Sequence, residues 1–244
     1  LARRLATAKA HRQGAHMTKP ILVFDIDGTF AHTAPDLLNS LNHCLTLVDL
    51  PPVDPQTLMR YVGHGGRVMI ERAMQARGRT VSPPELERLM KAFINHYEAD
   101  MPGKTEPFDG ALDVLDKFDR AGWIHAICTN KYEGMSKRLL AGMGHADRFN
   151  AICGQDTFAF KKPDPRHLTE TIRKAGGDPD RAIMVGDSIT DIDTARAAGI
   201  PVIAVSFGYS DRPVRELEPS VVIDNFSELT LELAEKLLTA AKGR

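Results

Sequence analysis

The feature that most constrains the fold is a run of four apolar residues leading directly into an acid, in the segment Ile21-Leu22-Val23-Phe24-Asp25-Ile26-Asp27-Gly28-Thr29. Such a run is typical of a strand buried on both faces of a parallel sheet. Alternation along a strand predicts that the two acids share one space at its carboxyl end, where open α/β sheets bind ligands. Gly28 allows the backbone to turn, and Thr29 adds a hydroxyl and an N–H group. An ordinary turn remains the alternative for the Asp-x-Asp-Gly letters alone.

Charge and cysteine content limit the class of protein. The 244 residues carry 31 Lys and Arg against 32 Asp and Glu, which does not favour a nucleic-acid-binding or membrane-surface protein. The three cysteines lack a CxxC spacing, which argues against a disulfide framework and a zinc site and favours a reducing, cytoplasmic setting. No apolar run approaches the ~20 residues needed to cross a bilayer.

The pattern of elements predicts an α/β fold with an insert. Helical spacing over 35–48, 67–77 and 83–99 indicates inserted helices over residues 34–104. They are interpreted as an α-helical cap, and ordinary helical decoration of the same composition is the alternative. From residue 108 helices and strands alternate, which predicts a Rossmann-like, mainly parallel sheet covered by helices, built from 17–33 and 105–244. A helix over 227–241 is predicted to end the chain. Residues 1–16 are interpreted as an N-terminal extension or a cloning-derived arm.

Three further polar motifs adjoin predicted strands or helices. Thr129 ends a strand, where a threonine either holds a phosphate oxygen or caps a helix. Lys161 and Lys162 precede a proline at a helix start, and paired lysines in a loop are commonly just solvated charges. The segment Gly186-Asp187-Ser188-Ile189-Thr190-Asp191 opens a helix, so it is either an N-terminal cap or part of a site.

Taken together, the four motifs resemble those of the haloacid dehalogenase-like (HAD) hydrolase superfamily, over roughly residues 20 to 225. The resemblance implies a HAD-type core with a cap that closes over the active site. It makes Thr129 the second-motif residue and selects Lys162 over Lys161 for the third. In the fourth motif it implies Asp187 as a metal ligand, supported by Ser188 and Asp191.

Convergence of Asp25, Asp27, Asp187 and Asp191 would require a cation. One pair of carboxylates at 4 Å costs on the order of 4 kcal/mol at an effective dielectric of 20, and an all-oxygen set favours Mg²⁺. The resemblance implies that Asp25, the backbone carbonyl of Asp27 and Asp187 bind this Mg²⁺. It further implies that Asp25 attacks phosphorus to form an aspartyl-phosphate, with Asp27 as general acid and base.

The substrate prediction comes from a resemblance to the phosphoglycolate phosphatase branch, carried by the segments Tyr61-Val62-Gly63-His64-Gly65, Cys128-Thr129-Asn130-Lys131 and Val205-Ser206-Phe207-Gly208-Tyr209. It implies hydrolysis of 2-phosphoglycolate, so the expected partner is a small phosphorylated metabolite. The expected assembly is a monomer or a homodimer. The predicted substrate-binding residues are Thr29, Asn130, Gly63, His64 and Arg67, the last two meeting the non-phosphate end from the cap.

Three alternatives remain at this point. The first is a related phosphatase for a sugar phosphate, a nucleotide monophosphate or a pyrophosphate. The second is a phosphomutase, which would use the same two acids with a bisphosphate intermediate. The third is a non-catalytic binding protein on the same fold.

Overall fold

A parallel sheet forms the centre of the molecule. The computed structural model describes residues 18–54, 62 and 65–242. Its strands are β1 (Lys19–Phe24), β2 (Ala31–His32), β3 (Glu106–Pro107), β4 (Ile124–Cys128), β5 (Ala151–Cys153), β6 (Gly177–Gly186), β7 (Val202–Val205) and β8 (Val221–Ile223). Six of them form one sheet in the order β5-β4-β1-β6-β7-β8, and every neighbouring pair in it is parallel. This confirms the predicted α/β class and places β1 near the middle.

The helices of the described residues fall into two sets, of which one covers both faces of this sheet and the other packs separately. They are α1 (Ala34–Thr46), α2 (Gly66–Gln75), α3 (Pro83–Ala99), α4 (Ala111–Arg120), α5 (Glu133–Gly142), α6 (Pro165–Ala175), α7 (Ile189–Ala198) and α8 (Leu231–Lys242). Leu22 and Phe24 of β1 face an apolar cluster with α4, α5 and α8. Ile21 and Val23 face a second cluster with α6 and α7. The uninterrupted apolar run is therefore explained by burial on both faces. Among the described residues, no helix is long and apolar enough to span a membrane.

A separate apolar cluster holds the helices α1, α2 and α3 together. Its fully buried members include Leu41, Met69 and Leu89, one from each helix. The chain enters and leaves this helical segment through the antiparallel pair of β2 and β3. Asp36 of α1 binds the segment that leads back to β3, because its carboxylate accepts hydrogen bonds from the Lys104 N–H group and the Thr105 hydroxyl. The segment thus has its own core and a two-stranded connection.

The structure corrects two predicted elements and adds one. The predicted helix over 227–241 is wrong at its start, because Asn225 caps a short 3₁₀ turn at Phe226–Glu228 and the α-helix begins only at Leu231. The strand predicted over 182–185 extends back to Gly177, which pairs with Lys19. The β2–β3 pair was not predicted, since two-residue strands carry no periodic signal. The interpretation of residues 1–16 lies outside the described residues.

Candidate active site

Asp25 lies at the carboxyl end of β1, where the apolar run stops. Its backbone N–H donates to the Val185 carbonyl of β6, which extends the sheet pairing to the site itself. Its Oδ1 accepts hydrogen bonds from the Ile26 N–H at 2.8 Å and lies 3.1 Å from Lys162 Nζ. The backbone and the lysine together fix the direction of this carboxylate.

Lys162 links Asp25 to a second acid. Its side chain is 2% exposed, and its ammonium lies 2.6 Å from Asp191 Oδ1. The other oxygen of Asp191 accepts hydrogen bonds from the Ser188 N–H and hydroxyl, at 3.2 and 2.7 Å. Asp191 thus has both oxygens engaged and positions the lysine. Lys161 is exposed and contacts Gln155 instead, so the structure brings Lys162 and not Lys161 to the acids.

Asp187 accepts hydrogen bonds from two other segments of the chain. Its Oδ1 accepts from the Thr29 hydroxyl at 3.2 Å, and its Oδ2 accepts from the Tyr209 N–H at 2.6 Å. A Cβ atom on Gly28 or Gly208 would clash with the Asp187 side chain. Gly28 also has a φ of 82°, a backbone conformation that favours glycine. Both glycines therefore allow the backbone to approach this carboxylate closely.

Three of the acids form a group suited to a metal ion. Asp25, Asp187 and Asp191 each offer an oxygen, and these atoms lie within 4.8 Å of one another. Burial raises the pKa of Asp25 to about 6, although Lys162 opposes this, and Asp191 and Asp27 add to the rise. Burial, Asp191 and Asp25 raise the pKa of Asp187 well above its usual value. Additional positive charge would relieve this repulsion, so the residues fit a metal site.

Asp27 points to a different partner. Its two carboxylate oxygens lie 3.0 and 3.1 Å from Lys131 Nζ. The Lys131 side chain is only 5% exposed, and its ammonium also lies 4.6 Å from the ring centre of Tyr97 in α3. The Asp27 side chain is thus held away from the three-acid group, which leaves only its backbone carbonyl for the predicted metal contact.

The second motif lies beside both lysines. Thr129 is buried at the end of β4, and its side chain contributes a hydrogen bond that lowers the pKa of Asp25. Its Oγ1 also accepts from the Lys131 N–H. Asn130 donates from Nδ2 to the Lys162 carbonyl at 3.0 Å and so ties the second motif to the third. The predicted substrate contact of Asn130 stays a prediction.

The predicted cap residues are only partly described. Gly63 and His64 lie outside the described residues. Arg67 lies at the start of α2, where its guanidinium pairs with Glu87 at 2.6 Å and its side chain is 50% exposed. The structure therefore places Arg67 in a surface ion pair, and its substrate contact stays a prediction.

Sequence reasoning did not select three residues that the structure places at the site, namely Lys131, Tyr209 and Tyr97. The first two lie in segments quoted for the family resemblance, each just after a strand, and this position was the available signal. Tyr97 continues the apolar stripe of α3 and has no local sign of a role at the site.

Comparisons with known proteins agree with this geometry. The sequence pattern described as haloacid dehalogenase-like hydrolase matches residues 22–205. The chain is 60% identical to the phosphoglycolate phosphatase of Mesorhizobium japonicum over 225 residues, covering 92% of this chain and 99% of that relative. It is 49% identical to the phosphoglycolate phosphatase of Agrobacterium fabrum, covering 90% and 94% of the two chains.

A solved structure is also similar. The crystal structure of a predicted phosphoglycolate phosphatase from Haemophilus somnus superposes with a TM-score of 0.80 and 26% identity, covering 88% of this chain and 97% of that one.

Proposed function

The chain belongs to the haloacid dehalogenase-like hydrolases, and within them to the phosphoglycolate phosphatase family, and we propose that it hydrolyses 2-phosphoglycolate to glycolate and inorganic phosphate. The observation that supports this proposal is that Asp25 and Asp27 have different partners. The first lies with Lys162 in the three-acid group, whereas the second pairs with Lys131. Two acids two residues apart in different environments suit two different chemical roles.

Asp25 is proposed as the nucleophile. Its carboxylate attacks the phosphorus atom, the bond from phosphorus to the ester oxygen breaks, and an aspartyl-phosphate forms. Lys162 balances the negative charge of the carboxylate and of the transferring phosphoryl group. Thr129 and Thr29 lie next to Asp25 and Asp187 respectively, where they can orient phosphate oxygens.

Asp27 is proposed as the general acid and base. It donates a proton to the leaving glycolate oxygen and later takes one from the water that hydrolyses the aspartyl-phosphate. Its side chain is 22% exposed, so it remains accessible to both groups.

Mg²⁺ is the proposed metal, held by Asp25, Asp187 and the backbone carbonyl of Asp27, with Asp191 as a supporting acid. The donors are oxygens alone, which favours a hard cation. When bound, Mg²⁺ supplies positive charge against the charge that spreads over the phosphoryl oxygens.

We also propose that residues 34–104 act as the cap over a core formed by 17–33 and 105–244. The β2–β3 pair lies where the chain crosses between these parts, which supports this division. The three cysteines are free, which fits the proposed cytoplasmic location. A monomer or homodimer remains the expected assembly, which light scattering would test.

The function is tested by phosphate release from a panel of phosphomonoesters, with and without Mg²⁺. We expect 2-phosphoglycolate to give the largest kcat/KM and release to require the metal. Asp25→Asn should lower kcat by more than about 10³-fold, because it removes the nucleophile.

Asp113→Asn is the matched control, because Asp113 is exposed in α4. It should retain wild-type activity. Metal-dependent release with another ester in the lead would contradict the substrate, and an active Asp25→Asn enzyme would contradict the nucleophile. Release only in the presence of a bisphosphate would favour a phosphomutase.

A further inference from the structure

Lys131 and Tyr97 form a second buried polar group beside Asp27. Lys131 comes from the loop after β4, and Tyr97 comes from α3 in the proposed cap. The Lys131 ammonium lies 3.0 Å from Asp27 Oδ1 and 4.6 Å from the Tyr97 ring centre. The helical segment thus contacts the site through Lys131, beside the proposed general acid.

The Tyr97 hydroxyl has no acceptor for its proton among the described residues. The residue is 3% exposed, and the group beside it is the Lys131 ammonium, which can only donate. A buried hydroxyl without a partner is unfavourable, and most such groups in proteins are satisfied. The ring that carries this hydroxyl lies over the buried Lys131 ammonium, so an anionic ligand could accept from both groups.

The leaving group must lie at the same place. Asp27 can protonate the ester oxygen only from hydrogen-bond distance, about 2.6–3.2 Å. In 2-phosphoglycolate the carboxylate carbon is only two bonds beyond that oxygen. A carboxylate so close to Asp27 lies within reach of the ammonium that contacts Asp27.

We propose that Lys131 and Tyr97 bind the carboxylate of the leaving group and so determine the specificity for a short anionic ester. Lys131 supplies the positive charge and Tyr97 donates a hydrogen bond from its hydroxyl. This inference rests on the proposed function. It assigns carboxylate recognition to a buried pair at the interface of core and cap, whereas Arg67 pairs with Glu87 on the surface.

The test compares 2-phosphoglycolate with propyl phosphate, in which a methylene and a methyl group replace the carboxylate. The readout is the ratio of the two kcat/KM values, because a defect in folding or in phosphoryl transfer affects both esters. In Tyr97→Phe the ratio should fall about 10-fold through a higher KM for 2-phosphoglycolate, since a hydrogen bond to a charged group is lost.

Tyr132→Phe is the matched control, because Tyr132 is the exposed neighbour of Lys131. It should retain the wild-type ratio. Lys131→Met should lower the ratio about 100-fold, and Lys131→Arg should restore part of it, because the charge returns.

The outcomes separate the two proposals. If the wild-type enzyme releases no phosphate from 2-phosphoglycolate, the proposed function fails and the inference fails with it. If the wild type prefers 2-phosphoglycolate but Tyr97→Phe and Lys131→Met keep its ratio, only the inference is overturned. An equal loss on both esters in Tyr97→Phe would also overturn it, because it would show a purely structural role.

Discussion

The site contains two buried lysines, Lys162 and Lys131, and they differ in what surrounds them. Lys162 contacts Asp25 and Asp191, and all three residues lie outside the inserted helices. Lys131 contacts the Asp27 carboxylate and the Tyr97 ring, and Tyr97 belongs to the inserted helices. The ion-pair partners of Lys162 therefore do not depend on the helical segment. The contacts of Lys131 do depend on how this segment packs on the rest of the chain.

The two lysines are otherwise alike electrostatically. Burial by itself lowers the pKa of each ammonium, but the adjacent carboxylates raise it by more than burial lowers it. Both pKa values therefore lie above the ordinary value for lysine. Both side chains therefore remain charged at neutral pH. Under the two proposals, one kind of ion pair serves phosphoryl transfer at Lys162 and leaving-group recognition at Lys131, and the neighbours of each lysine make the difference.

The largest effect is expected on the Lys162 side. Lys162→Met should lower kcat about 10²–10³-fold on every phosphomonoester, because the charge acts on the phosphoryl group that all of them share. A carboxylate-specific loss, of the kind expected for Lys131→Met, would contradict the division between the two lysines.

Lys161→Met is the control, because Lys161 is the exposed neighbour of Lys162 and its ammonium donates to the side chain of Gln155. It should be fully active. Circular dichroism and thermal melting check that Lys162→Met folds, since removing one partner of a buried pair costs about 3–5 kcal/mol.

An intermediate effect is expected from metal addition. The pKa of Asp25 is about 6 in the folded chain against 3.8 for an ordinary aspartate, so its contribution to stability is present below about pH 3.8 and is lost as pH rises through 6. The proposed Mg²⁺ would bind the ionised form, so it should offset this loss. We expect Mg²⁺ to raise Tm more at pH 7 than at pH 5, with about 2.7 kcal/mol gained at 100 times Kd.

Asp187→Asn should abolish most of this Tm shift, and Lys131→Met should keep it, because Lys131 does not contact the three-acid group. The measurement is differential scanning calorimetry across both pH values. An equal Mg²⁺ shift in the wild type and Asp187→Asn would contradict the proposed metal site.

The smallest effect is expected at Arg67. Its pairing with Glu87 and its half-exposed side chain predict that Arg67→Ala raises the KM for 2-phosphoglycolate only about 2- to 3-fold, since exposed ion pairs contribute little. Glu87→Gln serves as the partner control. If the KM for 2-phosphoglycolate rises more than about 10-fold in Arg67→Ala but not in Glu87→Gln, Arg67 contacts the substrate's carboxylate as predicted. That result would contradict the assignment of carboxylate recognition to Lys131.

The same contrast explains what could be predicted. Thr129, Lys162 and Asp187 each lie directly after a strand or before a helix, so local sequence marks them. Because the carboxyl ends of parallel strands meet at one edge of a sheet, such residues converge once the strand order is right. Asn130 shows the limit of this reasoning, because its amide ties two loops together, a contact that the motif does not reveal.

By itself, the sequence determined the α/β class, the apolar strand that leads to Asp25, and the acids and lysine of the four motifs. It could do so because short, contiguous patterns of residues indicate a buried strand and the loop that follows it. Only the tertiary structure decided that Lys131 pairs with Asp27, that Tyr209 holds Asp187, and that Tyr97 covers Lys131. These contacts join residues far apart in the chain, and their geometry depends on how whole helices and loops pack, which no local pattern specifies.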